Sequence, residues 1–190
     1  MPRTEGDALA RAAAAAAPLG PLLEIGSYCG KSAVYLGTVA RAAGTVLFAV
    51  DHHRGSEENQ PGWEYHDTEL WDPEARALDT LPSLRTTLRR AGLEETVIPV
   101  VGRSEVVAAH WTTPLSFVFI DGGHGREAAM TDYRCWSGAV RRGGTLAIHD
   151  VFPDPAHGGR PPFEIYCLAL ASGQFEEIGA CGSLRVLRRL

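Results

Sequence analysis

Residues 21–32, PLLEIGSYCGKS, constrain the fold of this chain more than any other stretch. A short apolar run carries Glu24, enters a turn holding Gly26 and Gly30, and passes straight into residues with helical patterning. A second apolar run, 45–50, stops at Asp51. Glycine lets the backbone of such a turn approach a ligand closely, and the helix start offers unpaired N–H groups. An acid at the tip of the next strand is suited to the two hydroxyls of a ribose. The combination points to a nucleoside-containing ligand lying across the ends of a parallel sheet.

The rest of the chain continues the alternation. Apolar runs at 21–25, 45–50, 96–101, 115–120 and 145–149 are separated by helical patterns at 30–43, 73–91, just after Ser104, and at 125–140. The early runs are almost wholly apolar, as parallel strands covered on both faces require. An alanine-rich helix over 4–17 precedes them, stopped by Pro18 and Gly20. A helix over 162–172 leads to two final strands, 174–179 and 183–189, close enough in sequence to pair antiparallel. One domain over residues 1–190 is expected, with 52–72 as a lid loop, longer than compact folds leave without purpose. Its Trp63, Tyr65 and Trp71 suit stacking on a flat or sugar-like substrate, and Glu57, Glu58 and Glu64 suit polar groups. A lid packed on its own aromatics, or a contact with a second subunit, fits the same residues.

Composition removes other classes. The net charge of −5 gives no broad basic surface, so neither a nucleic-acid nor a membrane partner is expected. Four cysteines stand at 29, 135, 167 and 181 without C-x-x-C spacing, which reads as reduced thiols in a cytoplasmic protein. The apolar stretch 8–23 is interrupted by Arg11 and preceded by Glu5 and Asp7, which favours a surface helix over a signal or membrane segment.

Three ligands compete for the glycine turn. A phosphate loop needs G-x-x-x-x-G-K-[ST]; this chain has one residue fewer and Ile25 where the first glycine belongs. The run SFVFID before Gly122 does mimic the second strand of such sites. A dinucleotide site needs G-x-G-x-x-G, and residues 27–28 displace its second glycine. S-adenosylmethionine has an adenosine and a carboxylate but no phosphate, so it tolerates the missing glycine.

Here the chain resembles the class I S-adenosylmethionine-dependent methyltransferases, best over 21–151. EIGSYCGKS resembles their first motif, E-x-G-x-x-x-G; VDHH places Asp51 like their ribose acid; VVGRS, FIDGGH and LAIHD resemble their later strand ends. It is most similar to small bacterial members with an IDG-x-H…HD pattern, many of them O-methyltransferases of small molecules. The resemblance implies a Rossmann-like, doubly wound α/β fold whose mostly parallel seven-stranded sheet ends in an antiparallel closing strand. It also implies that Gly26, Ser27 and Gly30 line the methionine part, with Glu24 bracing the turn or meeting the amino group and Ser32 and His52 close by. Asp51 would bind the ribose, Gly102, Arg103 and Ser104 would sit by the adenine, and Asp121 would lie under the sulfonium. Lys31 reads as a surface residue.

A second constellation lies at the later strand ends. Adjacent ends share one crevice, so Asp121, His149 and Asp150 can converge on a divalent metal. Some small-molecule O-methyltransferases carry a metal at corresponding acids; this chain departs by placing His149 first at the fifth strand, which as a ligand favours Mn, Fe or Zn over Mg. Alternatively, the two acids cap helix starts and His149 points to the opposite face, since strand side chains alternate. A metal would lower the pKa of a bound hydroxyl. Without one, His52, His53 or His124 would accept the proton, and the candidate catalytic set is His124, His53 and Asp121. The expected activity is methyl transfer to a small molecule at a hydroxyl oxygen, with a homodimer as one way to complete the pocket. The rivals are a P-loop-like phosphotransferase and a non-catalytic S-adenosylmethionine-binding regulatory module.

Overall fold

The computed structural model describes residues 1–56, 59–63, 66–123 and 125–190. Its first helix, α1 (Arg3–Ala16), buries a stripe of Glu5, Leu9, Ala13 and Ala16. Strand β1 (Leu22–Ile25) runs through the glycine turn into α2 (Lys31–Ala42), and β2 (Leu47–Asp51) follows. The lid region closes in a small hairpin, β3 (Trp71–Asp72) with β4 (Ala77–Leu78), before α3 (Leu81–Ala91) and β5 (Val97–Val101). Then come α4 (Ser104–Ala108), β6 (Leu115–Ile120), α5 (Arg126–Trp136), β7 (Val140–Ile148), α6 (Pro161–Ala171), β8 (Phe175–Cys181) and β9 (Leu184–Arg189).

Seven strands form one sheet in the order β5-β2-β1-β6-β7-β9-β8. The pairs among β5, β2, β1, β6 and β7 are parallel, whereas β9 is antiparallel to both of its neighbours. The expected doubly wound sheet with an antiparallel closing strand is therefore present. Alternation along the strands feeds two cores. Phe117 and Phe119 of β6 pack with Leu9, Leu36 and Leu84 on the α1–α3 side. Val118 and Ile120 pack with Trp136, Ile165 and Leu187 on the α4–α6 side.

Two boundaries differ most from the sequence reading. The helix expected over 73–91 begins only at Leu81, because Arg76 takes a left-handed turn (φ 50°) that folds the preceding residues into the hairpin. Pro82 then sits in the first turn of α3, where its missing N–H costs nothing. The strand expected at 145–149 starts five residues earlier, at Val140. Gly143 (φ 76°) bends it, and the β6–β7 register shifts between Leu115↔Val140 and Phe117↔Thr145.

Candidate active site at the rim of the sheet

Register brings the site together. Ile25 lies beside Val50 and Ile120, and Ile120 beside Ile148. The next residue of each strand, Gly26, Asp51, Asp121 and His149, therefore starts its loop on one rim. The rim flanks the point where chain order reverses around β1, where open α/β sheets bind ligands. Backbone bonds extend the ladder beyond the strands: Gly26 N–H to Val50 O (3.1 Å), Gly102 N–H to Asp51 O (3.0 Å), and Asp121 N–H to Ile25 O (3.0 Å).

Gly26 is required here by geometry. Its φ is +89°, and a Cβ would lie 2.2 Å from the backbone oxygen of Asp121. Asp51 accepts the backbone N–H of Tyr28 on Oδ2 (2.8 Å) and of His53 on Oδ1 (2.7 Å). One carboxylate thus ties the glycine turn to the end of β2. Each oxygen keeps a lone pair for a further donor. Tyr28, His53 and Asp150 all have positive φ (45°, 59° and 54°), a conformation that non-glycine residues adopt at a cost.

Above this rim lies a cavity of about 1760 Å³. Ligand pockets usually run to about 1,000 Å³, so a nucleoside cofactor and a second molecule fit together. Gly26, Asp51, His52, Gly102, Arg103 and Ser104 line one side, and Asp121 and Asp150 the other. Residues of the expected lid, including Arg54, Asn59 and Asp67, border it.

Other expected site residues lie elsewhere. Gly30 is not in the lining; its φ of +92° starts α2, and a Cβ would meet Leu84 at 2.8 Å. Ser27 and Ser32 are buried beneath the turn. His53 is 2% exposed and not in the lining, with Nδ1 2.7 Å from Thr80 Oγ1, itself a lining residue, and burial holding its pKa below the usual range. The ring is packed under the loop, in contact with Thr80. His124, Glu57, Glu58, Glu64 and Tyr65 fall outside the described residues. Trp63 and Trp71 are not among the lining; Trp71 packs edge-on against His66 at 5.6 Å, a lid contact of its own. Lys31 is exposed and outside the lining, whereas a phosphate loop needs its lysine at the phosphates. Burial pushes the Cys29 thiol up, away from reactive thiolate.

Glu24 sits under the floor with no exposure, and neither carboxylate oxygen has a hydrogen bond of good geometry. Burial raises its pKa to about 8, the nearby Ser32 hydroxyl opposes, and the negative charges of Asp121 and Asp51 add to the rise. Asp132 of α5 also lines the cavity, with burial raising it to about 6. Its carboxylate lies over Gly122, where a Cβ would be 2.6 Å away.

His149 does not point to the opposite face. Its Nδ1 stands 3.0 Å from Asp121 Oδ1 and 3.2 Å from Asp150 Oδ2. The strand ends at Ile148, and the left-handed backbone at Asp150 breaks the alternation that would have separated the two side chains. Burial alone would lower the imidazole pKa, but Asp121 and Asp150 raise it to about 10. His149 Nε2 meets Glu5 Oε2 at 2.8 Å. Sequence reasoning missed Glu5 and Asp132. The available signal was an acid on a buried stripe: Glu5 with Leu9 and Ala13, Asp132 with Ala129 and Trp136.

A glycine turn, a strand-end acid and a roomy cleft lie together at the switch point, where open α/β sheets bind ligands. A family model described as a methyltransferase domain matches residues 23–151, and the chain belongs to that family. Solved structures share the fold. The O-methyltransferase TomG of Streptomyces achromogenes, involved in tomaymycin synthesis and solved with SAM, is 17% identical, with a TM-score of 0.64 over 100% of this chain and 81% of its own. The Bacillus cereus O-methyltransferase solved with SAH is 16% identical, with a TM-score of 0.67 over 100% and 82%. The O-methyltransferase NovP is 16% identical, with a TM-score of 0.71 over 98% and 79%. Among the described residues, no helix is long and apolar enough to cross a membrane.

Proposed function

We propose that this chain transfers the methyl group of S-adenosylmethionine to a hydroxyl oxygen of a small molecule, with a divalent metal held at Asp121, His149 and Asp150. The observation that carries the reading is the single cavity joining the Asp51–Gly102–Ser104 side to the Asp121–Asp150 side. Bound S-adenosylmethionine supplies an already activated methyl group. The chain must then hold donor and acceptor in line and remove the acceptor's proton. Asp51 takes the ribose hydroxyls, the turn at Gly26 gives its backbone to the methionine end, and Gly102, Arg103 and Ser104 flank the adenine. TomG and the Bacillus cereus enzyme, solved with SAM and SAH, favour this choice of cofactor.

The donor set fits a metal. One ligand atom each from Asp121, His149 and Asp150 lie within 4.8 Å of one another. His149 Nδ1 is buried between the carboxylates without a well-directed hydrogen bond. A divalent ion there would lower the pKa of a substrate hydroxyl and orient it. His52 is a poor base: its Nδ1 accepts the Arg54 N–H at 3.1 Å, which leaves the proton on Nε2. Asp121 and Asp150 line the same cavity and offer carboxylates that can receive the proton.

Calorimetry tests the cofactor. S-Adenosylmethionine should bind at one site per chain and ATP with magnesium should not; the reverse result overturns the reading. Turnover against a panel of hydroxylated small molecules, with a structured RNA as a second arm, then tests the acceptor. Methylation of the RNA alone would remove the small-molecule assignment.

A further inference from the structure

The metal reading leaves a buried carboxylate of α1 without a role. Glu5 is 4% exposed, on the face of α1 that otherwise carries Leu9, Ala13 and Ala16. Burying a carboxylate costs several kcal/mol unless its hydrogen bonds are met. Here they are met, and each comes from far along the chain. Oε1 accepts the Ser183 backbone N–H at 2.6 Å and the Ser183 hydroxyl at 3.1 Å. Oε2 faces His149 Nε2 at 2.8 Å. The fold makes room for this contact on two sides. Gly6 lies under the Tyr35 ring, where a Cβ would be 2.5 Å away, so α1 sits close on α2. Gly182, at φ +55°, closes the β8–β9 turn over Glu5, and a Cβ there would be 2.1 Å from Oε1.

We propose that Glu5 is the positioning residue of the Asp121–His149–Asp150 corner: held by Ser183, it accepts the Nε2 hydrogen bond of His149 and so aims the Nδ1 lone pair between the two aspartates, as a nitrogen ligand to a divalent transition metal. The proposal rests on the metal reading above. A ligating histidine commonly gives its other ring N–H to a carboxylate, which fixes tautomer and ring orientation. The backbone N–H of Ser183 can only donate, so the oxygen facing it must accept. The other carboxylate oxygen then defines what Nε2 must be. With a glutamate, Nε2 keeps its hydrogen, and it is the Nδ1 proton, between the two aspartates, that a metal displaces. With a glutamine, the amide oxygen is drawn to Ser183 and the NH2 faces Nε2. That reverses the tautomer and puts a hydrogen on Nδ1, where the metal should be. A nitrogen in the donor set favours zinc, manganese, iron or cobalt over magnesium, which prefers an all-oxygen shell.

The test compares wild type, Glu5→Gln, His149→Ala and the double variant by calorimetry with Zn²⁺ and with Mg²⁺, after chelation and without cofactor or substrate. Wild type should bind one Zn²⁺ per chain much more tightly than Mg²⁺. Glu5→Gln should lose about 10–100-fold in Zn²⁺ affinity. Its Mg²⁺ affinity should change by less than about threefold, because oxygen ligands dominate there. The double variant should be no worse than His149→Ala, since both act through one nitrogen. A merely structural glutamate would lower both affinities together and leave their ratio intact; an unchanged Zn²⁺ to Mg²⁺ ratio in Glu5→Gln overturns the proposal but not the metal site. No metal binding by wild type overturns both. If Glu5→Gln does not fold, long-range ¹H–¹⁵N spectra of Zn²⁺-loaded wild type decide. A proton on Nε2 with metal at Nδ1 supports the proposal, and the opposite assignment or a metal-free ring overturns it.

Discussion

Gly26, Asp51 and Gly102 are joined to their neighbours by backbone hydrogen bonds of 3.0 to 3.1 Å, and Asp51 itself is held by two backbone N–H groups, from Tyr28 and His53. At the other end of the same rim, His149 is held by side chains: Asp121, Asp150 and Glu5. Glu5 lies 144 residues away from His149 and 178 from the Ser183 that clamps it. The first half is wired through main-chain groups of neighbouring strands, so it needs glycines and acids at fixed places after strands. The second is wired by side chains from both ends of the chain, so it needs the whole sheet assembled first. A site can thus have a pre-formed cofactor shelf next to a corner whose geometry depends on global folding.

If the cofactor half is main-chain wired, Gly26→Ala should be the most damaging change. A Cβ at 2.2 Å from Asp121 O, in a left-handed conformation, should cost at least about 3 kcal/mol of stability, read by chemical denaturation. A variant as stable as wild type would break the comparison. Asp51→Ala removes an acceptor that serves two N–H groups and, on our reading, the ribose. Hydrogen bonds to a charged group are worth about 1.5–3 kcal/mol, so S-adenosylmethionine affinity should fall about 10–100-fold, against less than about twofold for Lys31→Ala. Equal small losses would remove Asp51 from the ribose.

The effect that appears only as the pH is varied concerns Glu24, between the two halves. The folded chain keeps this proton up to about pH 8, whereas an ordinary carboxyl releases it near 4.5. The stability that protonated Glu24 contributes is therefore full below pH 4.5 and is lost as the pH rises through 8. Glu24→Gln removes that dependence. Its stability relative to wild type should rise with pH between those limits, by at most about 1.4 kcal/mol per pH unit. Parallel pH–stability curves would mean that Glu24 is ionised and satisfied in the folded chain.

Much of this was legible in the sequence. The apolar runs gave the strands, the closeness of the last two gave their antiparallel pairing, and the residues after β1, β2, β5 and β6 gave the cavity side of Asp51, Gly102 and Asp121. Each is a local signal, one strand followed by one turn. What the sequence did not show was equally specific. Gly30 was read as ligand-facing; in the structure its left-handed φ starts α2 and it stands outside the cavity lining. His53 follows His52 in sequence, yet only His52 lines the cavity, because the positive φ at His53 turns its ring beneath the loop against Thr80. A motif names neighbours in sequence but not the dihedral that separates them.

The sequence alone determined the presence of the seven strands of the main sheet, the glycine turn after β1, and that an acid and a glycine meet on one rim, because strand period and turn chemistry are set within a few residues. Only the tertiary structure decided that Glu5 would reach His149, that His149 and Asp150 would share a side, and that Glu24 would be sealed beneath the floor. Those outcomes depend on helix packing, on a closing turn and on exclusion of water, and each requires parts of the chain far apart in sequence to be in place together.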